Sequence, residues 1–198
     1  MVTRTLDAPD AEDFVRLLEA LDVETRYLMF EPGERPVDIR ALRARLADRR
    51  PDNGVLYALV DDAPHAAPRA LRDGSKPVDG PPVPRRTDEP LVGFIGAQRR
   101  QGRRNRHVLN LVVAIRQSRT GRGHGRALLD AVERYARNEG VTRLELTVMV
   151  DNVRAIRLYE GAAFEREGVR RRAVRLEDGW HDEYAYAKLL DPGERGRS

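Results

Sequence analysis

A glycine-rich segment past the middle of the chain combines residue types that can bind a phosphate group. Its residues are Thr120, Gly121, Arg122, Gly123, His124, Gly125 and Arg126. An apolar run at 108–115 precedes it and an amphipathic run at 127–136 follows it, which predicts a strand, a loop and a helix. Glycine reaches positive φ and has no side chain, so successive backbone N–H groups can turn toward one anion. The helix N-terminus and the two arginines add positive charge, so the segment is a candidate pyrophosphate-binding loop.

Two common nucleotide-binding loops do not match this segment. A Walker loop ends in Gly-Lys-Ser or Gly-Lys-Thr, whereas Gly125 is followed here by Arg126 and Ala127. A dinucleotide-binding loop has the spacing GxGxxG early in a βαβ unit, with an acidic residue about 20 positions later. The spacing here is GxGxG. For the loop taken alone, a glycine-rich turn that binds no ligand is a further interpretation.

A second motif, DNVRAIRLYEGAAF at 151–164, follows the loop by one predicted helix and one predicted strand. Together the two motifs resemble the GNAT N-acetyltransferases. In that family the pattern Arg/Gln-x-x-Gly-x-Gly/Ala marks the acetyl-CoA loop, and Asn-x-x-Ala-x-x-Leu-Tyr-x-x-x-Gly-Phe marks a later helix. Thr120 stands where the first pattern has Arg or Gln, and Ala163 stands where the second has glycine. The motifs cover 108–164, and the remaining chain resembles the family in element order.

The resemblance implies a mixed α/β fold, the GNAT fold. Four helices flank a twisted, mostly antiparallel sheet of about seven strands, and the central strand is splayed from its neighbour. Hydrophobic periodicity and turn signals predict the same order, β-α-α-β-β-β-α-β-α-β-β. Asp10 is predicted to cap the first helix, and Asp178-Gly179 to form a two-residue hairpin turn. The predicted strands are 2–6, 55–60, 91–97, 107–115, 144–150, 165–176 and 180–190, and the later helices are 123–138 and 152–160.

Length and composition predict one domain over 1–190 followed by a tail at 191–198. Residues 61–90 are rich in Pro, Gly and Asp, so we expect a mobile insertion in a hairpin there. No run approaches the roughly 18 apolar residues of a membrane span. The first seven residues lack the apolar core of a signal peptide, so we expect a cytoplasmic protein with no membrane partner.

The sequence contains no cysteine. This excludes disulfides, thiolate metal sites and an acyl-cysteine mechanism, and no other motif indicates a metal. The net charge is +4, with arginine clusters at 99–100, 103–106 and 170–172. Such clusters can bind nucleic acid, but no aromatic residues interleave with them. We therefore interpret them as a solvated turn and a solvated strand face, and we do not expect nucleic acid as a partner.

The resemblance also implies which residues hold acetyl-CoA, the expected co-substrate. The loop 120–126 would bind the pyrophosphate, and backbone groups of Val113 and Ile115 would bind the pantetheine arm. Asn152 would bond the pantetheine region, and asparagine also suits a helix N-cap. Tyr159 lies two helical turns after Asn152 and would touch the coenzyme as general acid, since a phenol with a pKa near 10 can protonate a leaving thiolate. A core tyrosine is the alternative interpretation.

The general base is less clearly marked, because 107–115 contains no carboxylate. His107 is the one titratable residue of that predicted strand, and it could accept a proton through water or be structural. His124 is expected to pack or to touch phosphate. By the same resemblance, Tyr27, Phe30 and Glu31 would border the acceptor site. Glu24 would border the same site, and both glutamates could attract a cationic amine, although solvated loop acids are the alternative.

These features predict direct transfer of an acetyl group from acetyl-CoA to a primary amine of a small molecule or a protein. The alternative is a non-catalytic acyl-CoA-binding or regulatory module on the same fold. That alternative is left open by the missing strand carboxylate and by the substitutions at Thr120 and Ala163. Members of the family often form homodimers, so a homodimer is the expected assembly.

Overall fold

A computed structural model describes residues 1–48, 50–61 and 90–191. The predicted insertion and the predicted tail lie almost entirely outside these described residues. Within them the strands are β1 (Val2–Thr5), β2 (Val55–Val60), β3 (Leu91–Arg99), β4 (Val108–Ile115), β5 (Arg143–Met149), β6 (Glu165–Leu176) and β7 (Gly179–Leu189). The α-helices are α1 (Ala11–Glu24), α2 (Ile39–Ala47), α3 (His124–Asn138) and α4 (Val153–Gly161).

The strands form one sheet in the order β1-β2-β3-β4-β5-β7-β6. All neighbouring strands run antiparallel except β4 and β5, which run parallel. The parallel pair needs a crossover, and α3 supplies it. The predicted mixed α/β fold with about seven strands and four helices is confirmed.

The helices cover the two faces of the sheet because the strands alternate their side chains. Phe14 of α1 meets Phe94 of β3 edge-on, with ring centroids 5.1 Å apart, and Ala114 of β4 lies in the same cluster. Leu109 and Leu111 of β4 belong to the cluster that α3 and α4 cover. Successive side chains of β4 thus pack into the helix layers on opposite faces of the sheet, as expected for a β-strand.

The central strand β4 pairs unequally with its two neighbours. Its register with β3 covers seven residues, from Leu109 to Ile115. Its register with β5 covers three residues and ends at the pair Asn110 and Glu145. Beyond that pair β4 and β5 separate, and this is the predicted splay. The cleft opens toward the carboxyl ends of both strands.

Two local predictions are wrong. Asp10 makes no side-chain cap to α1; its carboxylate accepts hydrogen bonds from the Arg4 guanidinium at 2.9 and 3.0 Å and from the Asp7 N–H at 2.7 Å. The two-residue hairpin turn consists of residues 177 and 178, because Leu176 pairs with Gly179 in the β6–β7 register. Gly179 already belongs to β7, so the predicted turn is displaced by one residue.

Arg99 is also not part of a solvated turn. Strand β3 continues to Arg99, whose exposed fraction is 6%. Its guanidinium donates to the carbonyl oxygens of Arg106 and Glu139, at 2.8 Å in both cases. Glu139 follows the last turn of α3, so Arg99 satisfies a carbonyl that the helix end leaves without a partner. No helix in the described ranges has the length and apolar character needed to cross a membrane.

Candidate active site

The glycine-rich loop lies between the carboxyl end of β4 and the start of α3. Gly121 and Gly123 have φ values of 74° and 81°, and a Cβ built on either would meet no atom within 4 Å. The Ala127 N–H donates to the Gly123 carbonyl at 3.2 Å. In the described part of the chain, the six preceding backbone N–H groups, at 121–126, have no acceptor. A row of free N–H groups at a helix N-terminus is an arrangement that binds anions.

The third glycine of the motif serves helix packing. A Cβ built on Gly125 would come within 2.7 Å of Leu158 Cδ2, so the absence of a side chain lets α3 approach α4. The loop and the second motif are therefore in direct contact. This contact fixes the start of α3 relative to the helix that carries Tyr159.

The side chains of the loop divide into engaged and available groups. Arg126 donates to Asp130 at 2.8 Å and to the Gly161 carbonyl at 2.7 Å. The Thr120 hydroxyl donates to the Gln117 carbonyl at 2.9 Å and accepts from Arg154 at 2.6 Å. Arg122 is exposed and has neither an ion pair nor a hydrogen bond to any described residue. Arg122 is therefore the loop arginine whose guanidinium is available to an anion.

His124 is the first residue of α3. Burial lowers the pKa of the imidazole below its ordinary value, and the positive charges of the N-terminal ammonium, Arg122 and Arg119 act in the same direction. The side chain is consequently neutral at pH 7. It adds no charge to the loop, and its position supports the expected contact role more than proton transfer.

Glu24 anchors the beginning of the loop. Its carboxylate accepts from Arg116 Nε at 2.6 Å and from the Gln117 N–H at 2.8 Å, while its carbonyl accepts from the Gln117 side chain at 2.5 Å. These bonds join the end of α1 to the residues directly after β4. Glu24 is thus neither a solvated acid nor free to attract an amine.

Alternate residues of β4 direct their backbone N–H and C=O groups toward opposite neighbouring strands, and this alternation decides which groups face the cleft. The Arg116 N–H donates to the Val92 carbonyl at 2.8 Å, and the Arg100 N–H donates to the Val108 carbonyl at 3.1 Å. Even-numbered residues of β4 therefore bond to β3, and the backbone groups of 111, 113 and 115 point toward β5. Since the β4–β5 register ends at Asn110, these groups face the cleft. They include the two residues predicted to bind an extended ligand, Val113 and Ile115.

Asn152 caps the N-terminus of α4. Its Oδ1 accepts from the Ala155 N–H at 3.2 Å, and its side-chain nitrogen has no acceptor among the residues described. The amide can therefore cap the helix and still donate to a ligand. Both roles considered from the sequence are compatible with this geometry.

Tyr159 packs in the core between α4 and the sheet. Its exposed fraction is 6%, and its ring centroid lies 6.0 Å from that of Phe164 and 6.4 Å from that of Tyr186. Burial raises the pKa of the phenol to about 12. Its hydroxyl makes no hydrogen bond within the described ranges. A buried, protonated phenol with a free hydroxyl can donate a proton or a hydrogen bond to a ligand.

Comparison with known proteins identifies the family. A family model described as the acetyltransferase (GNAT) family matches residues 39–164, which include both motifs. The chain belongs to the GNAT family. The predicted membership is confirmed, and the match runs from α2 to the residue after the α4 turn.

Two curated relatives cover parts of the chain. Over 83 residues, 41% of this chain, it is 42% identical to a mycothiol acetyltransferase from Brachybacterium faecium. Over 103 residues, 52% of this chain, it is 30% identical to the L-amino acid N-acetyltransferase AaaT from Escherichia coli. The aligned part spans 25% and 64% of the lengths of these relatives.

Among solved structures, the yncA protein of Salmonella typhimurium shares the fold. It was solved with acetyl-CoA as its cofactor, and it superposes with a TM-score of 0.73 at 17% identity. The match covers 96% of this chain and 94% of that chain. It confirms that the GNAT fold extends over the N-terminal elements that the sequence motifs did not cover.

His107 does not lie near the rest of this GNAT site. It precedes β4 and is exposed, and its carbonyl accepts from the N–H groups of Thr142 and Arg143, at 3.1 Å in both cases. This is the closed end of the β4–β5 pair. The glycine-rich loop follows the other end of β4, roughly 25 Å away at 3.3 Å per residue. The position gives no support to His107 as the base.

The loop between α1 and α2 borders the mouth of the cleft. Arg26 pairs with Asp151 and, at 3.0 Å, with Asp178, while the Tyr27 hydroxyl approaches the Asp151 carbonyl at 3.5 Å. This loop therefore meets both the β5–α4 turn and the β6–β7 hairpin. Of the predicted acceptor residues, Tyr27 lies at this boundary.

Phe30 and Glu31 lie farther along the same loop. Phe30 stacks against the Arg35 guanidinium at 4.6 Å, and Arg35 pairs with the buried Asp22 at 2.6 Å. The Glu31 N–H donates to Glu34 at 3.0 Å, and its side chain is exposed. Phe30 is therefore part of the structure that holds the loop in place, and contact of either residue with an acceptor stays a prediction.

Two carboxylates beside the cleft were not predicted from the sequence, Glu145 on β5 and Glu183 on β7. The carboxylates considered from the sequence were those of the predicted central strand, as a base, and Glu24 and Glu31, as acceptor-site residues. For Glu183, which stands between Asp182 and Tyr184, no local pattern marks the position. Glu145 stands between Leu144 and Leu146 of a predicted strand, and this alternation is the missed signal. Such a pattern places a carboxylate on the face opposite the core.

We expect Glu24→Ala to lower the free energy of unfolding by about 1.5–3 kcal/mol. The substitution leaves the Arg116 guanidinium and the Gln117 N–H without their shared acceptor, and hydrogen bonds to charged groups contribute about this much. Urea unfolding measures the change. Glu19→Ala, an exposed position on the same helix, is the control and should stay within about 0.5 kcal/mol of the parent. Equal effects of the two variants would contradict the anchor role.

We also expect Tyr159 to make stability depend on alkaline pH. The folded-state pKa of about 12 exceeds the ordinary value of 10 for tyrosine, so the folded protein holds this proton more tightly. The free energy of unfolding gained from this tighter proton binding is complete below pH 10 and is lost as the pH rises toward 12. Between pH 9 and pH 11 the parent should lose about 1 kcal/mol more unfolding free energy than Tyr159→Phe. Equal losses, measured by urea unfolding, would show that the phenol is not buried in this way.

Proposed function

We propose that this GNAT protein transfers an acetyl group from acetyl-CoA directly to a primary amine. The observation that carries the proposal is the convergence of two free backbone surfaces at one end of the sheet. The six N–H groups of 121–126 form an anion site, and the cleft edge of β4 at 111, 113 and 115 leads away from it. A ligand with a pyrophosphate and an extended amide-bearing arm fits both surfaces.

The loop would hold the pyrophosphate through its backbone N–H groups, with Arg122 adding a full charge. The residues Val113 and Ile115 would bond the amides of the extended arm as an added strand would. Asn152 would donate its free side-chain N–H groups to the same arm. Acetyl-CoA supplies a thioester carbonyl, and an N–H of β4 that faces the cleft would stabilise the oxyanion that forms there.

Tyr159 would act on the sulfur side of the reaction. Its pKa of about 12 keeps the phenol protonated at neutral pH, and its hydroxyl has no competing acceptor among the described residues. It can therefore donate to the thiolate as the carbon–sulfur bond breaks. The two curated relatives agree with this reaction class, since both are named acetyltransferases.

The acceptor is proposed as a primary amine of a small molecule or of a protein. The E. coli relative is named for L-amino acids, which favours testing α-amines first. A cytoplasmic location and a homodimer remain part of this proposal. Within the described ranges no cluster of three His, Asp or Glu residues could hold a metal ion.

We expect acetyl-CoA to raise the thermal unfolding midpoint of the parent by roughly 5–10 °C at 100 times its dissociation constant. Gly123→Glu should abolish this shift, because a carboxylate in the loop repels the pyrophosphate. Gly123→Asn is the matched control, since asparagine tolerates positive φ and carries no charge. It should keep most of the shift. A parent with no shift in millimolar acetyl-CoA would contradict the proposed coenzyme site.

We expect Tyr159→Phe to lower kcat by about 100- to 10,000-fold, the usual contribution of a positioned general acid. The acetyl-CoA thermal shift should be unchanged, because the ring and its packing remain. Release of free CoA with an amine acceptor measures the rate. Tyr57→Phe, at a half-buried tyrosine of β2, is the control and should retain the parent rate. Unchanged turnover in Tyr159→Phe would remove the hydroxyl from the mechanism.

A further inference from the structure

The side chains of β7 alternate between two faces of the sheet. The Tyr186 hydroxyl donates to Glu160 of α4 at 2.9 Å, and Tyr184 packs against Tyr186 with centroids 6.4 Å apart. Ala185 lies between these two tyrosines, and Glu183 directly precedes Tyr184. The side chains of Ala185 and Glu183 therefore point to the face away from α4. We call this the acceptor face.

The acceptor face contains the two edges of the cleft at the point where it opens. Asn110 and Glu145 are the last residues paired across β4 and β5. Two residues farther on, Val112 and Thr147 lie at the same height on this face, one on each side of the gap. Val112 is 48% exposed and Thr147 is exposed. A molecule that approaches the cleft from this face meets these two side chains first.

The Glu183 carboxylate is held beside this opening. Glu183 is paired with Met149 in the β5–β7 register, but its side chain reaches back along β5. The Thr147 hydroxyl donates to Glu183 Oε1 at 3.1 Å, and Arg170 of β6 donates to Oε2 at 3.0 Å. The side chain is only 12% exposed. Two contacts fix the carboxylate, and its remaining lone pairs can accept further hydrogen bonds.

Two other carboxylates near the cleft, Glu145 and Asp178, each pair with two basic side chains. Glu145 pairs with Arg100 and, at 3.2 Å, with Arg143, and it lies at the closed end of the cleft. Asp178 pairs with Arg26 at 3.0 Å and with His181 at 2.7 Å. Glu183 has one guanidinium partner, and Arg170 itself is 57% exposed, so solvent screens that pair.

We infer that Glu183 binds the acceptor's ammonium group and accepts its proton. This inference rests on the proposed function. The carboxylate takes one proton from R–NH3+, and the resulting lone pair attacks the thioester carbonyl to form the carbon–nitrogen bond. As the carbon–sulfur bond breaks, Tyr159 protonates the thiolate, and the second proton lost by the nitrogen restores the phenol. The proton on Glu183 leaves to solvent, so the products are the amide, CoA and one proton.

Thr147 and Arg170 act as positioning residues in this scheme. The Thr147 hydroxyl draws the carboxylate toward the cleft, and the hydrogen bond from Arg170 orients it. The acceptor therefore enters from the acceptor face, while the coenzyme's pyrophosphate site lies at the start of α3 on the other side of the sheet. The two substrates meet in the gap between β4 and β5.

The test compares two amines that differ in how much they need a base. The probes are n-butylamine, whose amine resembles that of lysine with a pKa near 10.4, and glycinamide, whose amine resembles an α-amino group with a pKa near 8. At pH 7 almost all butylamine is charged, whereas a larger fraction of glycinamide is neutral. Glu183→Gln should lower kcat/KM for butylamine by at least 100-fold and that for glycinamide by a clearly smaller factor.

Other readouts separate this role from a structural one. The loss of rate on acidification from pH 8 to pH 5 should be weaker in Glu183→Gln than in the parent. Glu183→Asp should recover part of the butylamine rate, and Thr147→Val should lower it without changing the acetyl-CoA thermal shift. Glu167→Gln, at an ion-paired glutamate of β6, is the matched control and should behave as the parent does.

The outcomes distinguish the two proposals. A parent that acetylates the probes and a Glu183→Gln variant with the same rates would overturn the role of Glu183 while leaving acetyl transfer intact. Loss of rate in Glu145→Gln instead would assign the base to β5 and also overturn it. A parent that binds acetyl-CoA but acetylates neither amine would contradict acetyl transfer to primary amines and, with it, the role of Glu183.

Discussion

The site depends on one constraint, the early separation of β4 from β5. A strand inside a sheet normally satisfies its backbone groups on both edges, and buried groups left without partners are costly. Here the edge of β4 that faces β5 is paired only as far as Asn110. The three odd-numbered residues beyond it must bond to water or to a ligand that behaves like a strand. The cleft follows from that opening, and so do the proposed orientation of the coenzyme and the proposed entrance for the acceptor.

Several contacts connect the elements that surround the cleft. Gly125 lets α3 lie close to Leu158 of α4, so both helices form one layer beneath the gap. Glu24 joins the end of α1 to the residues directly after β4. Arg26 links the α1–α2 loop to the turn after β5. These contacts connect α3 to α4, the end of α1 to the residues after β4, and the α1–α2 loop to the turn after β5.

The sequence predicted the parts of the site that depend on local chain geometry. Gly121 and Gly123 have the positive φ values that a phosphate-binding loop needs. Asn152 caps the N-terminus of α4, a position that asparagine favours. Strand alternation and helix periodicity located the elements to within one or two residues. The contacts that sequence could not predict join distant segments: Arg99 to Glu139, Glu24 to Arg116 and Thr147 to Glu183. In the sequence, the charged residues of these contacts resemble ordinary surface residues, because no local pattern indicates which distant residue each one contacts in the folded chain.

Strand β7 explains how one short segment serves both halves of the proposed reaction. Tyr186 supports the ring of Tyr159 on the helix-covered face, with centroids 6.4 Å apart. Glu183, three residues earlier, points to the opposite face and reaches the cleft through Thr147. An odd separation along a strand is what places the two side chains on different faces. A shift of β7 by one residue against β5 would move each side chain to the opposite face, and the contacts of Tyr186 with Tyr159 and of Glu183 with Thr147 would both be lost. One register therefore positions both the proposed acid, Tyr159, and the proposed base, Glu183.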